Sequence, residues 1–424
     1  MLYYAHGSEN TALSESEIKE GLYSAFEKLG GRKKVLALPP DFTRFHSCAG
    51  EITRFSYEYF NHNMTDILPA LGTHSPMTEE EIEIMFGTVP KNLFRIHKWK
   101  EDLSALGEVP SEFIKDVSEG KLDYSWPAQV NKLLIGGKFD LILSIGQVVP
   151  HEVVGMANYN KNIFVGTGGR DGINKSHFLG AVYGMERIMG RTDTPVRKVL
   201  NYASDNFAKH LPILYILTVI GKDENGKLVM KGLFIGDDSE CFKLAADLSL
   251  KVNFRMVDKL LKKVVVFLDP HEFKSTWLGN KSIYRTRMSI EDGGELIVLA
   301  PGLKEFGEDK EIDRLIRKYG YKTTPEILKF AEENNELKNN LSAAAHLIHG
   351  SSENRFSITY CPGSLTKEEI EGVNFNFADL GSMLKKYNPE KLEDGFNTMS
   401  DGEVIFYIPN PALGLWAHKD RFIK

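Results

Sequence analysis

Residues 140–177 read DLILSIGQVVPHEVVGMANYNKNIFVGTGGRDGINKSH. The first seven form a short, β-branched apolar run bounded by glycine, the signature of a buried strand. The chain beyond this run is polar and glycine-rich: His151 stands just after Pro150, Lys161 lies ten positions on, and His177 sixteen beyond that. A strand that ends in such a loop before a helix is the repeating unit of an open α/β sheet. Sheets of that kind bind ligands beyond the carboxyl ends of their strands.

Working outward, comparable apolar runs occur as VLALP near residue 35, ILYILTVIG at 213–221, VVVFLD at 264–269, ELIVLAP at 295–301 and EVIFYIP at 403–409. Between them, GRTDTPVRKVLNYASDNFAKH places its apolar residues at helical spacing, and KDENGKLVMKG carries an Asn-Gly hairpin signal. The alternation predicts an α/β protein. The run from Asp237 to Lys263 reads as one long helix closing a first domain, which sets a boundary near 260: an amino-terminal α/β domain over 1–260 and a carboxy-terminal α/β domain over 261–424. No Pro/Gly/Ser linker separates them, so the two are expected to pack closely, with the site in the cleft between them.

At 424 residues and 42% hydrophobic content the chain has enough apolar material for sizeable cores. Its 58 acidic and 52 basic residues are mixed along the sequence, so no basic face points to nucleic acid and no polybasic tract to a membrane surface. The longest apolar run, LPILYILTVI at 211–220, is about half a membrane-spanning helix. Cys48, Cys241 and Cys361 form no CxxC pair and cannot all be disulfide-bonded, and the opening MLYYAHGSEN lacks signal-peptide order. These features predict a cytoplasmic protein whose partners are small molecules.

Three strand-to-helix junctions concentrate the chemistry. LALPPDFTRF offers Asp41 and Arg44, read either as an N-cap aspartate beside a solvated arginine or as an arginine fork for a carboxylate or phosphate. In LPALGTHSPMTEEEI, Thr78 and Glu81 form a capping box, which puts Gly72-Thr73-His74 in the loop at the helix entrance. The third junction is the opening stretch, where GTGGRDG at 166–172 departs from GxGxxG at Asp171, although its amides could still cradle one phosphate. No zinc-type ligand spacing occurs, and the histidines of HLIH at 346–349, set among LSAAA, read as structural.

Taken jointly, these residues resemble the LarA family, lactate racemase and its nickel-pincer-nucleotide-dependent relatives that racemise or epimerise 2-hydroxy acids. The family's DxTR appears as Asp41-Phe42-Thr43-Arg44, and its GxH as Gly72-Thr73-His74 before Pro76 and Thr78. Its spaced set of histidine, glycine, lysine and histidine appears as His151, Gly155, Lys161 and His177, with Gly166 at the glycine of a PG pair. Lys281 precedes Gly293-Gly294 by twelve residues, and VIFYIPNPALGLW is similar to the family's closing strand and PxGLG turn.

The resemblance implies that His177 ligates nickel, that Lys161 holds the pyridinium cofactor through a thioamide, and that His74 and His151 are two acid/base catalysts. Asp41, Arg44 and Lys281 would hold the substrate carboxylate or a cofactor phosphate, and Gly166 would lie on the cofactor side. A hydrogen on a hydroxylated carbon beside a carboxylate is too weakly acidic to leave easily as a proton. Moving it as hydride avoids the carbanion, while a histidine on either side handles the hydroxyl proton. The enzymes that make the cofactor would then be required partners. Departures from the family pattern, Ala157-Asn158-Tyr159-Asn160 in place of SGG, Ser75 for an arginine, Phe45 for a proline and Leu278 for a glutamine, point away from lactate towards another 2-hydroxy acid, such as a sugar acid. Two alternatives are an isomerase of hydroxy-keto acids using the same cofactor and a non-catalytic carrier of it. Retention of both His74 and His151 weighs against the carrier.

Overall fold

The structure, a computed structural model, describes residues 1–412 and 414–422. It is a mixed α/β protein, and its contacts divide it into two compact units: Met1–Ser176 with Gly190–Asn253, and His177–Met189 with Phe254–Lys424.

The strands of the first unit are β1 (Leu2–Gly7), β2 (Val35–Leu38), β3 (Met64–Ile67), β4 (Leu103–Val109), β5 (Trp126–Asn131), β6 (Leu141–Gln147), β7 (Pro150–His151), β8 (Gly155–Met156), β9 (Ile213–Lys222) and β10 (Leu228–Gly236). The main sheet has the order β1-β10-β9-β6-β2-β3. From β9 to β3 it is parallel, and β2 and β6 are buried along their whole length, which is why VLAL and LILSIG show no polar alternation. The Asn-Gly signal closes the antiparallel β9–β10 hairpin, with Gly226 at φ +78°. Helix Glu15–Leu29, started by a Ser14/Glu17 capping box, and helix Ala49–Phe60 cover one face. There Leu22, Phe26, Ile52 and Phe55 pack with Val35, Ala37, Leu143 and Ile145, and each fully buried large side chain contributes about 1.5–3 kcal/mol of apolar transfer.

The second unit contains β11 (Phe254–Val257), β12 (Leu261–Phe267), β13 (Ile290–Ala300), β14 (Ser357–Pro362), β15 (Asn376–Phe377), β16 (Gly395–Thr398), β17 (Val404–Ile408) and β18 (Leu415–His418). Its sheet has the order β15-β14-β13-β12-β17-β16 and is parallel apart from β16–β17. Val265, Ile297, Leu299 and Tyr407 meet on one of its faces. Leu413, within the closing PALGLW, lies outside the described residues.

One expected element is different. The helix read over Asp237–Lys263 covers only Ser239–Asn253, because Phe254–Val257 leaves it to pair in parallel with β18. That partner lies some 160 residues downstream, out of reach of any local periodicity. His346 and His349 are buried on helix Leu341–His349. His346 bonds the Tyr321 hydroxyl at 2.9 Å and stacks on Trp277, in agreement with the structural reading.

Candidate active site

Asp41 ends the β2 junction and has two tasks. As N-cap of the short helix Phe42–Ser47 it accepts a bond from the Thr43 amide at 3.0 Å and another from the Thr43 hydroxyl. Its other oxygen lies 2.6 Å from His74 Nδ1. The cap reading therefore holds, and the same carboxylate also grips a histidine of this chain. Burial alone would raise the Asp41 pKa, but the bonds from His74 and Thr43 and the charge of Arg44 outweigh it and hold the group below its ordinary value. With a carboxylate as acceptor, Nδ1 carries the proton and Nε2 presents its lone pair.

The His74 loop is built as its sequence predicts. The Thr78/Glu81 capping box starts helix Glu79–Phe86, and Gly72 takes φ +58°. Gly72 N–H donates to the Gly166 carbonyl at 2.8 Å, tying the His74 loop to the Lys161 turn. Arg44 folds back on Thr43, bonding its carbonyl at 3.2 Å.

Lys161 opens a π-helical turn, Asn162–Gly166. Such turns are rare and recur at functional positions. Asn162 pins this one to both neighbouring strands, reaching Leu38 O at 3.0 Å and Ser144 Oγ at 3.1 Å. A Cβ at Gly166 would stand 2.8 Å from that of Ala70, so only glycine lets the two loops approach. Burial lowers the Lys161 pKa to about 8, with Arg44 and Arg197 pushing the same way and Glu152 and Asp41 opposing. At pH 7 roughly a tenth of such an amine is neutral, several hundred times the fraction for an ordinary lysine.

His151 lies in the two-stranded ribbon β7–β8, directly opposite Gly155. Gly155 takes φ +86°, which explains the glycine four residues after the histidine. The His151 Nδ1 accepts the Val153 amide at 3.1 Å, so the neutral ring carries its proton on Nε2. Glu152 stands 3.6 Å from the same Nδ1. The neutral rings are thus held in opposite tautomers, one leaving an acceptor and the other a donor at Nε2.

His177 is half-buried on helix Arg170–Tyr183 and groups with the second unit, as does Lys281. Lys281 is buried at the start of helix Lys281–Tyr284, 3.9 Å from Glu272 and over the Phe273 ring. The glycines of GTGGRDG have a packing reason: a Cβ at Gly168 would lie 1.9 Å from Phe164 O, and one at Gly169 2.4 Å from the Gln129 side chain. Sequence reasoning missed Arg197, fully buried on helix Pro195–Phe207 among Val196, Val199 and Leu200. Its signal was a charged residue at an apolar phase of that helix.

Residues 23–188 match the lactate racemase N-terminal domain family. No curated protein sequence matches the chain. A crystal structure of a protein from Thermotoga maritima is 26% identical, covers 98% of this chain and 100% of its own, and superposes with a TM-score of 0.81. The structure of the lactate racemase apoprotein from Thermoanaerobacterium thermosaccharolyticum is 18% identical, covers 98% of this chain and 94% of its own, with a TM-score of 0.70. The fold is therefore that of lactate racemase, and residues 23–188 are similar to that enzyme's N-terminal domain.

Proposed function

We propose that the protein is a racemase or epimerase of a 2-hydroxy acid that works with a nickel-pincer nucleotide. The observation that carries this reading is the knot at the β2, β3 and β6 junctions. There a carboxylate-held imidazole and a lysine of lowered pKa occupy loops bonded to each other through Gly72 and Gly166. The lysine fits the group: forming an amide-type link requires a neutral amine, and burial provides one near neutrality. Lys161 and His177 would hold the nucleotide and its metal, which when bound supplies an acceptor for the hydride of the substrate carbon.

The remaining work falls to the chain. His74 Nε2 takes the substrate hydroxyl proton, and Asp41 stabilises the imidazolium so formed. His151 would be the second acid/base group: as the imidazolium it gives a proton to the substrate oxygen and returns to the neutral ring, and for the other stereoisomer the proton moves in the opposite sense. Arg44 and Lys281 would each hold a substrate carboxylate or a cofactor phosphate. Ser75 and Phe45, in place of the family's arginine and proline, favour a substrate other than lactate, a sugar acid by our reading. The cytoplasm, where unpaired Cys48, Cys241 and Cys361 would stay reduced, is the compartment we assign. A mere carrier would have no use for a carboxylate-held imidazole.

Nickel content tests this reading. Made together with the cofactor-producing enzymes, the wild type is expected to hold nickel near one per chain and to epimerise at least one member of a 2-hydroxy acid panel. Lys161→Ala and His177→Ala are each expected to lose most of the metal. Unchanged nickel in both variants would refute the assignment.

A further inference from the structure

We propose that Arg197 is a positioning residue for Lys161: from inside the first unit it clamps the left-handed turn at Asn158–Asn160 and sets the charge under which the Lys161 amine works. This rests on the reading of Lys161 as the cofactor-holding amine.

The turn needs a clamp. Asn158 and Tyr159 have φ of +64° and +60°, each about 1–2 kcal/mol less favourable than right-handed backbone for an L-residue. Tyr159 is the more unusual, since a bulky side chain seldom adopts this conformation. Arg197 supplies the holding force. It donates to Met156 O at 2.6 Å, to Asn158 O at 3.3 Å and to Asn160 Oδ1, so every acceptor lies within the six residues before Lys161. The Asn160 amide is anchored in turn to Asn201 at 2.7 Å and Ser204 at 3.2 Å. The Phe242 ring lies 4.4 Å from the guanidinium carbon and stacks on Tyr159.

The choice of arginine is informative. Among the described residues its bonds go to neutral acceptors and its Nε has none, so the unit buries a cation without a carboxylate bonded to it. A methionine of similar length would fill that space at lower cost. What an apolar residue cannot supply is the fork of donors and a positive charge behind Lys161. The charged groups that act on Lys161 are Arg44 and Arg197 on one side and Glu152 and Asp41 on the other. Burial is the largest influence on the amine and Arg44 the larger of the two cations, and Arg197 adds to both in the direction of the neutral amine.

The test is trace acetylation of the full chain with acetic anhydride across pH, read at the Lys161 peptide by mass spectrometry. It needs neither cofactor nor turnover. The wild-type midpoint is expected near 8, well below that of surface lysines. Arg197→Met should raise it by about half a unit or more, as removal of a nearby like charge does. Arg197→Lys, which keeps the charge, should restore most of the shift. A folded Arg197→Met protein with the wild-type midpoint overturns the proposal. Should that variant not fold, Asn160→Ala, which releases the turn from the guanidinium, replaces it: a raised midpoint supports the proposal and an unchanged one overturns it. If Lys161 responds to Arg197 but nickel loading fails, the functional reading falls while this inference stands. The reverse pattern separates them equally well.

Discussion

A carboxylate that caps a helix and also holds a histidine has two reasons to stay ionised, and Asp41 shows the consequence in its lowered pKa. Its folded-state value lies below its unfolded one, so the stability it contributes is present above the ordinary carboxylate range and lost as pH falls through the lowered value. Asp41→Asn should accordingly flatten the acid side of the melting-temperature profile. It should also reduce turnover, because an amide no longer fixes which nitrogen of His74 carries the proton. In the proposed mechanism His74→Ala removes the base, and a loss on the order of 10²–10⁴-fold in turnover is expected in both directions, with nickel content unchanged. Full activity in His74→Ala, measured by loss of optical rotation, would exclude it as a catalytic base.

At the scale of elements, glycines decide how closely the loops of the first unit approach. Gly155→Ala places a side chain at φ +86°, with an expected destabilisation of about 1–2 kcal/mol. It should lower activity as well, because the ribbon that aims His151 loses its geometry. Gly166→Ala sets a methyl against Ala70 and should cost about 1–3 kcal/mol through overpacking. Gly136→Ala is the control: nothing lies within 4 Å of its Cβ position and it ends a helix, so denaturant unfolding should be nearly unchanged. Equal losses at all three positions would show that glycine content, rather than loop approach, governs stability here.

At the scale of the whole molecule, each unit carries its own charge network. In the second, Glu403 meets Lys263, Lys386 and the Tyr387 hydroxyl. Burial would raise its pKa, but these three partners bring it down to about 2. Because the folded value is depressed, the stability Glu403 contributes is present above about 4.5, its ordinary value, and is lost progressively towards pH 2. Glu403→Gln should weaken the pH dependence of unfolding across that window and leave the Asp41-linked part in place. Acid unfolding curves for the two variants that coincide would deny the units their separate contributions.

Much of the fold and the site was legible in the sequence, and range explains the division. Strands such as VLAL and DLILSIG, the Thr78/Glu81 cap and the Asn225-Gly226 turn are set by neighbours within a few residues, so periodicity and turn chemistry sufficed for them. The candidate site residues were picked out through a family resemblance, and the glycines among them, at 72, 155 and 166, answer to backbone geometry and close loop approach. The end of the long helix at Asn253 was not, because only pairing with Leu415–His418 ends it there. Nor were the bond from Asp41 to His74, across 33 positions, and that from Arg197 to the turn before Lys161, across about 40. An aspartate in DFTRF and an arginine in TPVRKVL have many meanings locally. Tertiary packing chose among them, because a buried charge must take whatever partners the fold brings within bonding distance.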